Sequence, residues 1–434
     1  MELDKSRLVD SKGFRLIFRA LTHRNYRLFF GGQGISLIGT WMQQIAMSWL
    51  VYRLTNSAFL LGMAGFLGLI PTFLLAPFSG LLSDRLNRHR ILVITQTLAM
   101  IQAFILAILD LTGMIDVWHL IILILFLGFV NAFDAPARQA FVVDMVEKKE
   151  DLSNAIALNS FLFNGARLVG PSIGGIVISI LGEGLCFLLN GLSFLAVIVA
   201  LLAMKTTFKK KEIQRTRVWH GLKEGFTYAF GFAPIRFILF LLGLVSLVGM
   251  PYTVLMPIFA KDILHGGPHT LGFLMAASGM GAVAGAIFLA SRKSILGLGR
   301  IIVAASIIFG SGLITFSLSH VLWLSLFLLV FTGFGMMVQM ASSNTILQMI
   351  VEDDKRGRVM SFFTMSFMGM APFGSLLAGS LASKIGAPNT LIIGGVSCIL
   401  GSFMFAKKLP LIRGMVRPIY LKKSIIPEES SRIQ

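Results

Sequence analysis

The stretch Gly80-Leu-Leu-Ser-Asp84-Arg85-Leu-Asn-Arg88-His-Arg90 decides the fold of this chain. It places a dense group of charges between two apolar runs of roughly 20 residues each, the length that spans a bilayer as a helix. Charges are costly in hydrocarbon, and Lys and Arg collect in short loops on the cytoplasmic side of a membrane. We therefore expect a short cytoplasmic loop between two membrane-spanning helices.

The overall composition points the same way. The chain has 434 residues, of which 56% are hydrophobic and 13% are charged. A soluble fold has too little interior to bury that much apolar surface, so the lipid bilayer is the expected environment. The net charge of +18 comes from basic residues in short segments between apolar runs. This pattern indicates membrane topology and no nucleic-acid partner.

Twelve apolar segments are long enough to cross the bilayer. Of the 38 Lys and Arg residues, only Arg53, Lys261 and Lys384 fall in the predicted outer loops. The chain is therefore predicted to be a multi-pass membrane protein with both termini in the cytoplasm. The predicted segments are Asn25–Tyr52, Ala58–Ser83, Ile91–Leu111, Val117–Phe141, Ala155–Leu181, Leu185–Met204, Ile235–Phe259, Thr270–Ala290, Ile301–Leu318, Val321–Met349, Val359–Ala382 and Thr390–Phe405.

The longest polar interruption divides these segments six and six. Gly128-Phe129 in the fourth segment and Gly333-Phe334 in the tenth are followed by similar residues at a constant offset, which suggests an internal repeat. The predicted fold is an all-α membrane protein with two pseudo-symmetric six-helix bundles. The predicted divisions are an amphipathic N-terminal segment (1–24), a first bundle (25–204), a central loop (205–234), a second bundle (235–406) and a basic tail (407–434).

The opening stretch resembles the G-x-L-x-D-R-x-G-R-R pattern between helices 2 and 3 of the major facilitator superfamily. It keeps Gly80, Asp84, Arg85 and Arg88 but has Asn87 in place of the usual glycine. The resemblance implies a secondary transporter and a conformational latch made by these residues. It also implies that Asp84 caps helix 11, where the helix dipole favours an anion.

Arg88 completes this latch in our interpretation. It is placed to bridge to Asp144, at the inner end of the fourth segment. These contacts would hold the two halves in an outward-open state.

A second motif lies in the fifth segment. Gly170, Pro171, Gly174 and Gly175 resemble the antiporter motif G-x-x-x-G-P-x-x-G-G of drug:proton exporters in this superfamily, with Ala166 in place of the first glycine. Its small residues let a neighbouring helix approach closely, and its proline removes one backbone hydrogen bond. Close packing alone is the alternative explanation.

Ionisable residues near the membrane midplane are the candidate coupling site, because charge there is costly and marks function. Asp134 is the only acid at a suitable depth, which makes it the candidate for proton coupling. Its partner could be Arg167, Arg138 or each in turn, and a permanent salt bridge is the structural alternative. Both arginines are candidates for substrate binding.

The second half offers polar and aromatic candidates for substrate binding instead of charges. These are Gln339, Asn344 and Phe363, in a region rich in methionine. Flexible thioethers suit a pocket that repacks around bulky ligands, although filling gaps between helices is their commoner use.

The sequence contains none of the enzyme or metal-site motifs that we looked for. The sequence contains no G-x-x-x-x-G-K-[ST] loop, no H-E-x-x-H pair and no Cys/His cluster. We expect no enzymatic activity, cofactor or metal, and transport energy drawn from an ion gradient.

The phrases Gly39–Tyr52 and Phe133–Gln139 resemble the branch of the superfamily that contains the enterobactin exporter and macrolide-efflux proteins. That branch implies an exporter in the cell inner membrane that uses the proton gradient to move a bulky organic molecule. We expect the protein to be a monomer. Its usual arginine in mid-helix 4 is absent, so Arg167 is expected to take that role. A cationic cavity favours a siderophore-like anion. The alternatives are multidrug or macrolide efflux, lysophospholipid translocation and import.

Overall fold

The computed structural model describes residues 18–204, 218–292, 294–352 and 355–423, and all regular elements in these ranges are helical. Eleven helices of this part are long and apolar enough to cross a membrane. The helices are α1 (Arg24–Thr55), α2 (Ala58–Arg85), α3 (Arg88–Leu111), α4 (Val117–Asp144), α5 (Leu152–Leu181), α6 (Glu183–Leu202), α7 (Val218–Gly231), α8 (Ala233–Ile263), α9 (Pro268–Ala290), α10 (Leu298–Ser317), α11 (Leu322–Ile350), α12 (Arg356–Ile385) and α13 (Ala387–Lys422).

Helix α1 is long enough to span but is more polar than the eleven. Its 32 residues include the buried side chains of Gln33, Ser36 and Gln43. Buried polar groups need hydrogen-bond partners inside the protein. Helix α1 is therefore polar because it contributes hydrogen-bonding side chains to the protein interior.

Two of the spans are irregular near prolines. In α8, π-helical turns occupy Val245–Gly249 and Phe259–Ile263, and Pro251 and Pro257 lie between or beside them. In α12 the helical pattern is interrupted at Gly369 and Met370, just before Pro372. Proline lacks the backbone N–H that continues the helical ladder, which explains why the interruptions are here.

The predicted loop at Gly80–Arg90 is shorter than its charge density suggested. Helix α2 continues to Arg85 and α3 begins at Arg88, so the break is confined to Leu86 and Asn87. The Asn87 side chain accepts hydrogen bonds from the backbone N–H groups of His89 and Arg90. Asparagine is a preferred N-cap, so the residue that replaces the family's glycine starts the next helix.

The first part of the predicted basic tail is helical. Helix α13 runs through Pro410 and Pro418 to Lys422, so residues 407–422 continue the last span. The Lys423 ammonium donates to the carbonyl oxygens of Met349 (2.8 Å) and Val351 (3.2 Å), at the end of α11. Cations are favoured at a helix C-terminus, so this contact fastens the end of α13.

Some predicted segments fall partly outside the described residues. Of the amphipathic N-terminal segment, only the part from Phe18 is described, and Arg19–Thr22 form a single 3₁₀ turn. Of the central loop, residues 205–217 lie outside the description and α7 follows. The end of the tail, residues 424–434, also lies outside it.

The described chain divides into two compact units. The first contains α1, α3–α6, the part of α2 from Leu67 onward, and the segment Gly266–Ala276 at the start of α9. Within it, α1 packs closely on α6, because a β-carbon at Gly32 would lie 2.8 Å from the Ala196 carbonyl oxygen. Aromatic side chains including Tyr26 and Phe29 are buried in its core.

The second unit contains α7, α8, the remainder of α9, and α10–α13, together with Ser57–Phe66 at the start of α2. The start of α2 packs on α12: a β-carbon at Gly379 would lie 2.6 Å from the Gly62 Cα. Helices α10 and α13 meet in the same way at Gly310 and Gly395. Small residues permit these close approaches between apolar helices.

Candidate functional site

A cavity of about 290 Å³ lies within the first unit. Helices α1, α3, α4, α5 and α6 all contribute to its wall. The polar part of the lining explains why α1 is less apolar than the other spans. The polar and charged lining residues are Gln33, Ser36, Thr40, Gln43, Gln44, Thr95, Gln96, Asn131, Asp134, Arg138 and Asn190.

Asp134 is the one acidic side chain among the residues that line this cavity. It is 5% exposed. Its Oδ1 accepts hydrogen bonds from Thr95 Oγ1 and Gln96 Nε2, each at 2.8 Å. Its Oδ2 lies 3.4 Å from Arg138 Nε, one helical turn further along α4. The two oxygens therefore have different roles: Oδ1 is held by two neutral donors, and Oδ2 faces a cation.

The sequence left the partner of Asp134 open, and the structure pairs it with Arg138. Arg167 instead lies over Trp41, with its Cζ 5.8 Å from the ring centroid. No carboxylate within salt-bridge distance of Arg167 is found in the part of the chain that the structure describes. A guanidinium over an indole ring is a favourable cation–π arrangement. The neighbour of the Arg167 guanidinium is therefore an aromatic ring and not a carboxylate in this part of the chain.

The aromatic part of the cavity wall includes Trp41 and Phe163. Their ring centroids lie 5.8 Å apart in an edge-to-face arrangement. Edge-to-face pairs are a favoured aromatic geometry. Arg167 lies over Trp41 but is not itself among the residues that line the cavity.

A chain of buried amides adjoins the cavity, and the sequence analysis missed it. Asn190 Nδ2 donates to Gln43 Oε1 (2.7 Å), and Gln43 Nε2 donates to Gln102 Oε1 (2.8 Å). Gln102 in turn donates to the Leu123 carbonyl oxygen at 3.3 Å. This chain joins α1, α3, α4 and α6 and fixes the orientation of each amide. Glutamine and asparagine inside membrane-length apolar runs were the signal that could have revealed it.

The antiporter-like motif lies on α5 between two neighbours. A β-carbon at Gly170 would lie 2.6 Å from Trp41 Cβ, and one at Gly174 would lie 2.9 Å from Met42 Cα. On another side, a β-carbon at Gly175 would lie 3.0 Å from Gly272 Cα, at the start of α9. Pro171 is inside a continuous α5. The glycines therefore seat α5 against α1 and place Trp41 at the cavity wall.

Gly170→Ala tests this seating. We expect the added methyl group to push Trp41 and α1 away from α5, because overpacking a tight contact costs about 1–3 kcal/mol. The transport rate should fall by about tenfold or more, because moving Trp41 changes the geometry of the cavity wall. Gly165→Ala on the same helix is the matched control, since no atom lies within 4 Å of its added methyl group. Equal transport by the two purified variants would contradict the assignment.

At one end of the first unit, Arg88 and Asp144 form the ion pair that the sequence predicted. Arg88 Nη1 lies 3.1 Å from Oδ1 and 3.0 Å from Oδ2 of Asp144. Arg88 Nε also donates to the Ser83 carbonyl oxygen at 3.2 Å, which joins α2 and α3 to α4. Gly80 faces open space. The side chains of Asp84 and Arg85 lie outside the described part of the structure, so the remainder of the latch stays a prediction.

The three candidates of the second unit are not brought to a common face. Gln339 is 1% exposed, and neither its amide nitrogen nor its amide oxygen has a hydrogen-bond partner among the described residues. Asn344, about 140° further around the helix, accepts a hydrogen bond from Gln348 at 2.9 Å. Phe363 is partly exposed on α12. Their part in substrate binding stays a prediction.

The chain matches the family model described as transmembrane secretion effector over residues 17–415. It is 27% identical to the staphyloferrin A transporter of Staphylococcus aureus and 25% identical to macrolide efflux protein A of Streptococcus pyogenes, over 87% of this chain and 95% of each relative.

The fold is similar to solved transporter structures. A crystal structure of a bacterial homologue of the iron transporter ferroportin superposes with a TM-score of 0.68 at 15% identity, covering 88% of this chain and 98% of the other. Family and relatives alike are transporters and not enzymes. With this fold and a match along nearly its whole length, the chain belongs to the transmembrane secretion effector family of the major facilitator superfamily.

Proposed function

We propose that this protein is a proton-coupled exporter of a bulky organic molecule across the inner membrane, working by alternating access, and that a siderophore-like anion is its preferred substrate. The observation that carries the proposal is the Asp134–Arg138 pair in the cavity of the first unit. An ionisable residue at this depth in a membrane protein is a functional site by default.

Proton coupling is supported by the surroundings of Asp134. Thr95 and Gln96 hold Oδ1 whether the carboxyl group is charged or neutral, because each can donate to either form. Oδ2 is then the oxygen that takes the proton, and protonation removes the charge that holds Arg138. One proton thus breaks one ion pair and frees one guanidinium in the cavity.

The charges around the cavity support an anionic substrate. Asp134 neutralises at most one of the two guanidiniums, Arg138 and Arg167. A guanidinium presents parallel donors that match a carboxylate or a catecholate. A staphyloferrin A transporter among the relatives agrees with a substrate of this kind.

Macrolide or multidrug efflux is the second candidate function. It is favoured by the relative named macrolide efflux protein A and by the aromatic wall of Trp41 and Phe163. A cationic drug would compete with the proton for Asp134, which is the usual basis for exchange at a shared site. No observation on this chain singles out lysophospholipid translocation or import.

The orientation follows from the distribution of basic residues. The end of the first unit that carries Arg88 and Arg90 would face the cytoplasm, as would both termini. The functional unit in this proposal is the monomer, in contact with the bilayer on all sides, and the cavity lies within a single chain.

The test compares compounds retained by cells that lack the gene with those retained by cells that carry it, using mass spectrometry of cells and medium. We expect an acidic metal-chelating metabolite to accumulate inside the deletion strain and to return to the medium on complementation. A strain complemented with Asp134→Asn should resemble the deletion strain. Retention of neutral or cationic compounds alone would favour the drug-efflux function instead.

A further inference from the structure

A second group of charges lies at the other end of the first unit from Arg88 and Asp144. Arg53 near the end of α1, Asp110 near the end of α3 and Glu183 at the start of α6 come together there. Arg53 Nε lies 2.8 Å from Glu183 Oε1, and Arg53 Nη2 lies 3.6 Å from Asp110 Oδ1. Along α3, the distance from Arg88 to Asp110 is about 33 Å.

The charges in this cluster do not balance. The side chains of Glu183 and Asp110 are 9% and 12% exposed, whereas that of Arg53 is 46% exposed. One buried carboxylate, Glu183, and one mostly buried carboxylate, Asp110, thus share one half-exposed guanidinium. The N-terminus of α6 adds roughly half a positive charge, which still leaves the cluster short of two full negative charges.

Two glycines bring the carboxylates together. Gly182 has a φ of +83°, a conformation that favours glycine and turns the chain from α5 directly into α6, so Glu183 is the first residue of the helix. A β-carbon at Gly184 would lie 2.9 Å from Asp110 Oδ2. The sequence Gly182-Glu183-Gly184 therefore allows Asp110 to rest against the start of α6.

Glu183 Oε1 is a hydrogen-bond acceptor without a donor among the described residues. It is fully buried, and despite its short distance to Arg53 Nε it receives no hydrogen bond of normal geometry from the described residues. The charged side chains that face this carboxylate are Arg53 from α1 and Asp110 from α3, and on α6 itself the nearest titratable group is the Cys186 thiol. A proton on the carboxyl group would supply the missing hydrogen and remove the excess charge.

We propose that the Arg53–Asp110–Glu183 cluster is a second proton-binding site, at which the two carboxylates share one proton. It is separate from Asp134 and goes beyond the proposed function, because it requires neither a substrate nor coupling at the cavity. The cluster joins α1, α3 and α6, all of which contribute to the cavity wall. With the orientation that the basic residues predict, it responds to the pH outside the cell.

Infrared difference spectroscopy of the purified, reconstituted transporter between about pH 5 and pH 8 tests this site. The wild-type protein should show the absorption band of a protonated carboxyl group, with an intensity that corresponds to about one proton bound by the cluster. One proton is expected because two interacting carboxyl groups titrate as a unit. Glu183→Gln should lose that band. Asp110→Asn should lose it too, because the remaining Arg53–Glu183 pair is balanced.

The controls are Asp116→Asn and Asp134→Asn, which should both keep the band of the cluster. Asp116 is an exposed acid that caps the start of α4, and asparagine can replace it in that role. Thermal unfolding gives an independent measure: at about pH 8, Glu183→Gln should be at least as stable as the wild-type protein. The proposal is overturned if the wild-type band survives in Glu183→Gln, or if that variant loses equal stability at every pH, as breaking a simple ion pair would cause.

Discussion

Asp134→Asn is expected to abolish concentrative export while exchange of substrate across the membrane continues. Asparagine can still accept from Thr95 and Gln96 in place of Oδ1. It cannot bind or release a proton, and its amide N–H₂ offers a donor to the Arg138 guanidinium where Oδ2 offered an acceptor. We expect proton-driven accumulation to fall by on the order of tenfold or more, the scale of a strong coupling between two ligands.

The measurement is accumulation of substrate in proteoliposomes with an imposed pH gradient, beside equilibrium exchange in the same vesicles. Asp134→Glu is the matched control, because it keeps a titratable carboxyl group on α4. Accumulation by Asp134→Asn at the wild-type level would place the coupling group elsewhere. Loss of exchange as well as accumulation would indicate a structural role for the ion pair.

Substitutions of Arg138 and Arg167 are expected to have different effects, because only Arg138 is paired with Asp134. Arg138→Ala removes the cation that faces Oδ2 and leaves a buried carboxylate with neutral donors alone, a change that can cost about 3–5 kcal/mol. The Asp134→Ala, Arg138→Ala double variant should recover much of the lost stability. Arg167→Ala should keep normal stability and lose binding of acidic substrates.

A double-mutant cycle on thermal stability and on substrate binding measures this difference. We expect strong coupling between residues 134 and 138 and little coupling between residues 134 and 167. Arg167→Lys keeps the charge over Trp41 but loses the two parallel donors. It should therefore weaken the binding of acidic substrates and leave the binding of neutral substrates unchanged. Stability coupling of Asp134 to Arg167 instead of Arg138 would refute the arrangement of the site.

Much of this fold could be predicted from periodic features of the sequence. Long apolar runs and short basic connections determine where membrane helices begin and end, because the bilayer admits few alternatives. The least accurate prediction is the length of the loop at Gly80–Arg90, because charge density alone does not end a helix. Arg85 and Arg88 belong to helices, since Asn87 supplies a cap that makes a two-residue break sufficient. Helix α13 likewise continues beyond its apolar part through Lys407 and Lys408.

The site could be predicted only in part, since membrane depth is readable from the sequence and side-chain partners are not. Asp134 and Arg138 were identifiable as ionisable residues in an apolar run. Their pairing depends on their positions one turn apart on α4, and Arg167 lies on another helix beside Trp41. The partners of Gln43 come from two other helices, α3 and α6, so the amide chain could not be predicted without the packing of the whole unit.

The direct measurement of the central claim is proton movement during transport of the substrate. Purified protein is reconstituted with a pH-sensitive dye inside the vesicles, and a substrate gradient is imposed with the membrane potential clamped at zero. Our account predicts that substrate moving in one direction drives protons through the wild-type protein, with no such signal for Asp134→Asn. Substrate movement by the wild-type protein with no accompanying proton flux would contradict it.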